Sequence, residues 1–290
     1  MEFVNGGELF FHLKNEGKFK ESRARFHAAE IVLALEYLHK SGVVYRDVKP
    51  ENILIDSEGH VKLTDFGLSK GGLDNTQGMT ESFCGTTEYL APEIIKDKQY
   101  GFSVDWYSFG LVLYEMLTGT NPFKTGRDTP FVEQMNMILQ YDLEIPDYFS
   151  PEAGNLIRNL LKKNPRERIG CGAAGASEIK AHPFFKGINW DDLLAKRIAP
   201  PYVPKTHNNE DTNNIDQEFL NEAPKETPAE DSALLNVAST QDLFDNFDFV
   251  NEELSGLGQT EVGNDDSSLA QFKEPKERGA TQVSGPLPHG

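Results

Sequence analysis

The stretch that decides the fold of this 290-residue chain is Tyr45-Arg46-Asp47-Val48-Lys49-Pro50-Glu51-Asn52. It brings a carboxylate (Asp47), an ammonium (Lys49) and a carboxamide (Asn52) together around a proline turn. Transfer of a phosphoryl group spreads charge over phosphate oxygens, so its catalysis depends on positioned charges and on hard oxygen ligands for Mg²⁺. The stretch therefore predicts a phosphoryl-transfer site.

Two further motifs follow in a defined order. Asp65-Phe66-Gly67 comes eighteen residues after Asp47, and Ala91-Pro92-Glu93 comes later in the chain. Asp47-Val48-Lys49-Pro50 or Asp65-Phe66-Gly67 alone could be a chance loop sequence, but the three pieces in this order match the protein-kinase motif set. The chain therefore resembles a protein kinase.

Periodicity predicts the local structure around these motifs. Residues 53–64 form two alternating apolar stretches around an Asp56–Gly59 turn, which predicts a β-hairpin with Asn52 and Asp65 at its neighbouring ends. Helical spacing recurs at about residues 7–14, 22–40, 103–118, 131–140 and 151–162, with Ser22 as a candidate cap. Together with the resemblance, this predicts a mainly α-helical kinase large lobe with one small hairpin, followed by an extended acidic tail.

The resemblance implies a role for each motif residue. Asp47 would be the catalytic base that accepts the proton of the substrate hydroxyl, and Lys49 would neutralise the transferred phosphate. A lysine at that position is typical of serine/threonine kinases. Asn52 and Asp65 would hold Mg²⁺, so ATP and Mg²⁺ are the expected cofactors. The residues that would bind the nucleotide are Glu2, Val4, Glu8, Glu51 and Leu54.

The segment from Ser82 to Glu93 resembles the activation loop of the AGC group of kinases. Ser82 would be the phosphorylation site, modified by an upstream activating kinase. A phosphate there would pair with Arg46 and Lys70 and order the loop. The alternative is that Ser82 is an ordinary loop serine.

Substrate recognition is implied by the same group resemblance. Glu8, Glu51 and Glu115 match positions that recognise basic side chains, which predicts protein substrates with Arg before the Ser or Thr acceptor. Glu115 could instead be a surface residue, but its helix is apolar nearly all round and should be buried. The loop residues expected to contact substrate are Thr86, which would also bond Asp47 and Lys49, together with Thr87 and Leu90.

Three residues resemble structural positions of the family. Asp105 would accept hydrogen bonds from the backbone of the catalytic loop, and Glu93 would pair with Arg168. None of the three would touch substrate.

By resemblance, residues 1–186 form the large lobe, beginning at the hinge with Met1 at the gatekeeper position. The Gly-rich loop and the Val-Ala-Ile-Lys lysine that hold ATP are not in this sequence. We expect the chain to be a piece of a complete kinase. The alternative is a catalytically silent lobe that acts as a protein interaction module.

Residues 201–290 hold 18 acidic and 5 basic side chains, so most of the net charge of −18 lies there. Residues 187–250 resemble the AGC C-terminal tail, with a hydrophobic motif at Phe244, Phe247, Asp248 and Phe249. Thr227 precedes a proline and is a candidate tail phosphorylation site. The motif could also be a stray aromatic cluster, and residues 251–290 read as disorder.

Composition limits the other classes of function. Two cysteines cannot build a disulfide framework, and there is neither a signal peptide nor an apolar run long enough to span a bilayer. This predicts a cytosolic or nuclear protein. Nothing in the sequence forms a basic patch typical of nucleic-acid binding, and the acidic chain should be repelled by anionic membranes.

Overall fold

The computed structural model of the chain describes residues 2–73, 79–126, 128–208 and 210–222. These residues are mainly helical and include one two-stranded antiparallel sheet. The strands are β1 (Ile53–Ile55) and β2 (Val61–Leu63). The helices are α1 (Leu9–Glu16), α2 (Glu21–Lys40), α3 (Pro92–Ile95), α4 (Ser103–Thr118), α5 (Phe131–Gln140), α6 (Pro151–Leu160), α7 (Ala176–Lys180), α8 (Trp190–Leu194) and α9 (Gln217–Leu220).

Several predicted features lie outside the described residues. They are Met1 at the gatekeeper position, Thr227, the hydrophobic motif at Phe244, Phe247, Asp248 and Phe249, and residues 251–290.

Helix α4 forms the centre of the core. Apolar residues occupy nearly its whole circumference, so the helix can be stable only when other elements surround it, and α2 and α6 both pack against it. Thirteen of its residues are buried, including Asp105 and Glu115. It ends at Gly119, whose φ of 84° is left-handed and favours glycine. The predicted bounds of α4 are confirmed.

The predicted hairpin is also confirmed. Strands β1 and β2 pair in register, with Ile53 opposite Leu63 and Ile55 opposite Val61. The amide of Thr64 donates to the carbonyl of Asn52 at 3.1 Å, which extends the pairing by one step. Asn52 therefore directly precedes this short ladder, and Asp65 follows it.

Helix ends differ from the predicted ones by a few residues. The prediction that Ser22 caps α2 is wrong, because the N-cap position is Lys20, which makes no side-chain capping bond. Helix α6 ends at Leu160. Its start is well specified, since the Ser150 hydroxyl accepts from the amide of Ala153 at 3.0 Å.

The segment after α8 returns to the start of the chain. The Asn5 side chain donates to the carbonyl of Asn208 at 2.9 Å, and the Asn214 side chain donates to the carbonyl of Asn5 at 3.1 Å. Gly7 permits this approach: its φ is +82°, and a Cβ there would lie 2.1 Å from the carbonyl oxygen of Asn214. The start of the chain therefore packs against the segment that contains Asn208 and Asn214.

Candidate active site

A polar network surrounds the side chain of Asp47, which is buried. One carboxylate oxygen accepts from the Thr86 hydroxyl at 2.9 Å and from the Thr86 amide at 3.2 Å. The other accepts from the Asn52 amide at 2.8 Å and lies 2.9 Å from the Lys49 ammonium. Lys49 also donates to the Thr86 hydroxyl at 2.9 Å. The carboxylate of Asp47 is thereby held in one orientation.

Asp105 binds the backbone of the two residues before Asp47. Its two carboxylate oxygens accept from the amides of Tyr45 at 2.9 Å and Arg46 at 2.8 Å, and the His39 ring lies 2.7 Å from one of them. Arg46 has a φ of 71°, an unusual conformation for a residue with a Cβ. Asp105 therefore stabilises a strained turn next to the candidate base.

The two candidate metal ligands lie at neighbouring ends of the hairpin. The Asn52 amide nitrogen makes both of its assigned bonds, to the carboxylate and to the carbonyl of Asp47, so this side chain would bind a metal through its carboxamide oxygen. Asp65 is exposed, has a φ of 54°, and accepts from the amide of Gly67 at 3.0 Å. Both donors are hard oxygens that suit Mg²⁺.

Across the described residues, no group of three or more His, Cys, Asp or Glu side chains is arranged to hold a metal ion. A magnesium ion at Asn52 and Asp65 would thus need further oxygen ligands from elsewhere, such as nucleotide phosphates.

A buried ion pair joins two distant segments beneath the site. Arg168 donates to both carboxylate oxygens of Glu93, at 2.6 and 2.9 Å, and also to the carbonyls of Ser103 and Lys162. The Ser103 hydroxyl donates to Glu93 as well. Both charges are fully paired, so the arrangement can fix the position of α3 at the end of the activation loop.

Ser82 is exposed, and its surroundings include both predicted cations. The Tyr100 hydroxyl donates to the Ser82 carbonyl at 2.6 Å and lies 3.3 Å from the Arg46 guanidinium. Lys70 donates to the Thr80 hydroxyl at 3.0 Å, two residues before Ser82. Burial raises the pKa of Tyr100 to about 12, so its hydroxyl stays protonated as a donor. Sequence reasoning missed Tyr100, because no motif includes it.

Three carboxyl groups, those of Glu8, Glu51 and Glu115, lie close enough to influence one another's charge. Burial raises the pKa of Glu8, Glu51 and Glu115, and Glu51 raises the pKa of the other two further. The Glu115 carboxylate accepts from the Tyr89 hydroxyl at 2.5 Å. One oxygen of Glu51 is buried without a hydrogen-bond partner among the described residues. We call Glu8, Glu51 and Glu115 the acidic cluster.

The remaining predicted contact residues differ in exposure. Thr87 begins a short 3₁₀ turn and is half-buried, whereas Leu90, just after the turn, is buried. Leu54 lies in β1 and bridges to Glu8. Glu2 is exposed and pairs with Lys62 at 2.9 Å, and Val4 is half-buried.

A second group that sequence reasoning missed attaches the later segment to α2. The Arg23 guanidinium lies between the rings of Phe19 and Tyr202, at 3.8 and 3.5 Å from their centroids. Glu16 accepts from Arg23 at 2.7 and 2.8 Å, and the Tyr202 hydroxyl lies 3.2 Å from the His12 ring. No motif or periodicity in the sequence pairs Arg23 with Tyr202.

Within the part of the chain that the structure describes, no helix combines the length and apolar character needed to cross a membrane.

The chain matches two protein-family descriptions. Residues 1–185 match the protein kinase domain, and residues 207–249 match the protein kinase C terminal domain. The first match covers more than half of the chain.

Curated relatives agree with these matches. The chain is 47% identical over 252 residues to a RAC family serine/threonine-protein kinase homolog of Dictyostelium discoideum, covering 87% of this chain and 55% of that protein. It is 44% identical to the RAC serine/threonine-protein kinase of Drosophila melanogaster, covering 94% and 44%. It is 47% identical to ribosomal protein S6 kinase alpha-3 of Homo sapiens, covering 86% and 33%.

The chain thus spans about half, or less, of the length of these relatives. The motif order, the contacts of Asp47, both family matches and these identities lead to one assignment. The chain belongs to the protein kinase family, within the AGC group of serine/threonine kinases.

Proposed function

We propose that this chain supplies the large lobe of a kinase that transfers the terminal phosphate of Mg·ATP to Ser or Thr hydroxyls of proteins. The observation that carries the proposal is the orientation of Asp47, which Thr86, Asn52 and Lys49 contact on both carboxylate oxygens. A carboxylate in this setting can accept a proton from a substrate hydroxyl.

The proposed step is a single displacement. The substrate hydroxyl gives its proton to Asp47 while its oxygen bonds to the terminal phosphorus, and the bond from that phosphorus to the bridging oxygen of ADP breaks. Lys49 lies 2.9 Å from Asp47 and can neutralise the transferred group. Asn52 and Asp65 would hold Mg²⁺, which reduces the charge repulsion on the phosphates.

The direct test uses the native gene product that carries this sequence. Asp47→Asn should lower phosphate transfer to a Ser/Thr peptide by about 10²- to 10⁴-fold, because the carboxamide cannot accept the proton. The matched control is Asp97→Asn, at an exposed residue whose side chain makes no hydrogen bond or ion pair with the network, which should leave the rate unchanged. Absence of phosphate transfer by the unmodified protein would contradict the proposal and favour an interaction module.

Ser82 is the proposed switch, and an upstream kinase is its proposed partner. Phosphate on the exposed Ser82 would meet Arg46, which already shares the Tyr100 hydroxyl with the Ser82 carbonyl, and Lys70. Ser82→Ala should abolish the increase in rate that follows phosphorylation and leave the basal rate in place. Equal activation of both proteins would contradict this role.

The acidic cluster supports substrates with Arg before the acceptor. A guanidinium near these three carboxyl groups would favour their charged forms and so offset the burial that raises the pKa of each. Replacing upstream Arg in a peptide library should raise KM. An unchanged KM would remove this preference.

We assign residues 1–186 to the large lobe and residues 187–250 to the tail that accompanies it, in a protein of the cytosol or nucleus. The hydrogen bonds of Asn208 and Asn214 with Asn5 support the proposal that the first part of this tail packs against the start of the lobe. Both cysteines, Cys84 and Cys171, are free thiols, as a reducing compartment favours. Fractionation of source cells tests the compartment.

A further inference from the structure

A large open groove lies on the described surface, away from the acidic cluster. It holds about 1080 Å³, and its walls are the end of α2, the loop from Lys96 to Phe102, the start of α4 and the loop from Gly170 to Ser177. No residue of the Asp47 network or of the acidic cluster lines it. The groove is therefore separate from the proposed catalytic cleft.

The rim of the groove carries cations without partners. Lys96, Lys98 and Arg166 line it, all three are exposed, and among the described residues none of them forms an ion pair. The carboxylates on the lining are already neutralised. Glu93 is bound by Arg168, and Glu36 is bound by Lys40 and Lys180. The groove therefore presents net positive charge.

Residues 1–200, which contain the groove, have a net charge of only −5, because 18 of the 46 acidic and 5 of the 28 basic side chains lie after residue 200. A cation-rich groove on an acidic protein offers a local attraction for anions that the surrounding surface does not share. A short anionic segment could contact all three rim cations within the groove. Charge complementarity thus favours a compact acidic ligand.

The floor of the groove is apolar and aromatic. Trp106 and Phe102 pack against the His39 ring at 4.9 and 4.7 Å between centroids, and Phe102 is half-buried at the groove surface. Met79 lines the rim with 60% of its surface exposed. Phe102 and Met79 can bury an aliphatic or aromatic residue of a ligand, which inorganic anions cannot exploit.

We propose that this groove docks an acidic peptide segment of a partner protein, with carboxylates against Lys96, Lys98 and Arg166 and an apolar residue against Phe102 and Met79. The mixture of exposed cations around an apolar floor fits a peptide that alternates acidic and apolar residues. Such docking would bind a partner at a site separate from the phosphate-transfer site.

The test measures binding of a short fluorescein-labelled peptide of alternating Glu and Leu with one Phe, by anisotropy, to the full chain. The peptide has no Ser, Thr or Tyr, so it cannot be a phosphate acceptor, and the result is independent of the proposed kinase activity. The K96A/K98A/R166A variant should bind about tenfold more weakly, since each exposed pair contributes a few-fold. Binding should also weaken as salt rises.

The matched control is K20A/K186A/K205A, which removes three exposed cations that do not line the groove. It should bind like the unmodified chain. Met79→Ala should weaken binding with no change in the circular dichroism spectrum, because its side chain is exposed. Equal loss of affinity in both triple variants, or no saturable binding, would overturn the proposal. So would a short RNA that binds with the same dependence on Lys96, Lys98 and Arg166, since that would identify a general polyanion site.

Discussion

Two regions of the lobe contain carboxylates that are buried or partly buried, and they differ in the partners that these carboxylates have. Beneath the catalytic loop, Glu93 is bound at both oxygens by Arg168, and Asp105 is bound by two backbone amides and His39. In the acidic cluster, burial raises the pKa of every member, and one oxygen of Glu51 has no partner among the described residues. The carboxylates of the first region have charged or amide partners within the fold, whereas Glu51 in the second keeps an oxygen without a hydrogen-bond partner among the described residues.

The difference separates stability from binding. A buried carboxylate with a full set of partners holds segments together, and removing one partner leaves an uncompensated charge. Grouped carboxylates that lack a cation repel one another and destabilise the folded protein, so binding of a cation between them is favourable. Variants in the first region should therefore affect unfolding, and variants in the second should affect substrate binding.

The largest expected effect is at Arg168. Arg168→Met should lower the free energy of unfolding by about 3–5 kcal/mol, because Glu93 would remain buried without its cation. Denaturant unfolding measures this, with Arg158→Met, at an exposed position of α6, as the control. The double variant Glu93→Gln/Arg168→Met should lose less than the sum of the single losses. Additive losses would mean that the pair is not coupled.

The second effect is at Glu51 and concerns binding. Glu51→Gln should raise KM for an Arg-containing peptide about 10- to 100-fold, as expected for loss of a charged hydrogen bond of about 1.5–3 kcal/mol. For a peptide without upstream Arg, KM should stay the same. Glu152→Gln, at an exposed position of α6, is the control variant. If KM rose equally for both peptides, Glu51 would not be the residue that recognises the arginine.

A smaller effect is expected at Tyr202. Tyr202→Leu should lower the free energy of unfolding by up to about 2 kcal/mol, because Arg23 would lose one of the two aromatic rings that cover its buried guanidinium. Tyr202→Phe keeps the ring and should lose less. Tyr148→Leu removes a ring from the exposed Lys18 and is the matched control. Equal losses in Tyr202→Leu and Tyr148→Leu would show that burial of the cation is unimportant.

The smallest effect is the pH dependence of stability. A raised pKa in the folded protein means that Glu51 contributes stability below the ordinary pKa of a glutamate, about 4.5, and loses this contribution as pH rises through the raised value. Glu51→Gln should therefore be more stable than the unmodified protein at pH 7, with a difference that shrinks towards pH 4. Thermal unfolding across this range measures it. A difference that grew towards acid pH would contradict the assigned direction.

The sequence predicted much of this arrangement through residue types at fixed spacing. The hairpin between Asn52 and Asp65 and the bounds of α4 follow from local periodicity, and the structure confirms both. The start of α2 was harder to predict from the sequence. The N-cap is the residue at which helical geometry begins, and several polar residues in a row could occupy that position. The pairing of Glu93 with Arg168 came from the family resemblance, because the two residues are 75 positions apart.

By itself, the sequence determined the family of this protein, the residues that carry charge in its catalytic loop, and the burial of α4, because these depend on short motifs and local periodicity. The tertiary structure decided which charge meets which partner. Tyr89 reaches Glu115, His39 reaches Asp105, and Tyr202 covers Arg23. Each pair joins distant segments, and packing alone decides whether their side chains come within hydrogen-bonding or stacking distance. For the same reason, only the fold shows that Lys96, Lys98 and Arg166 line one groove.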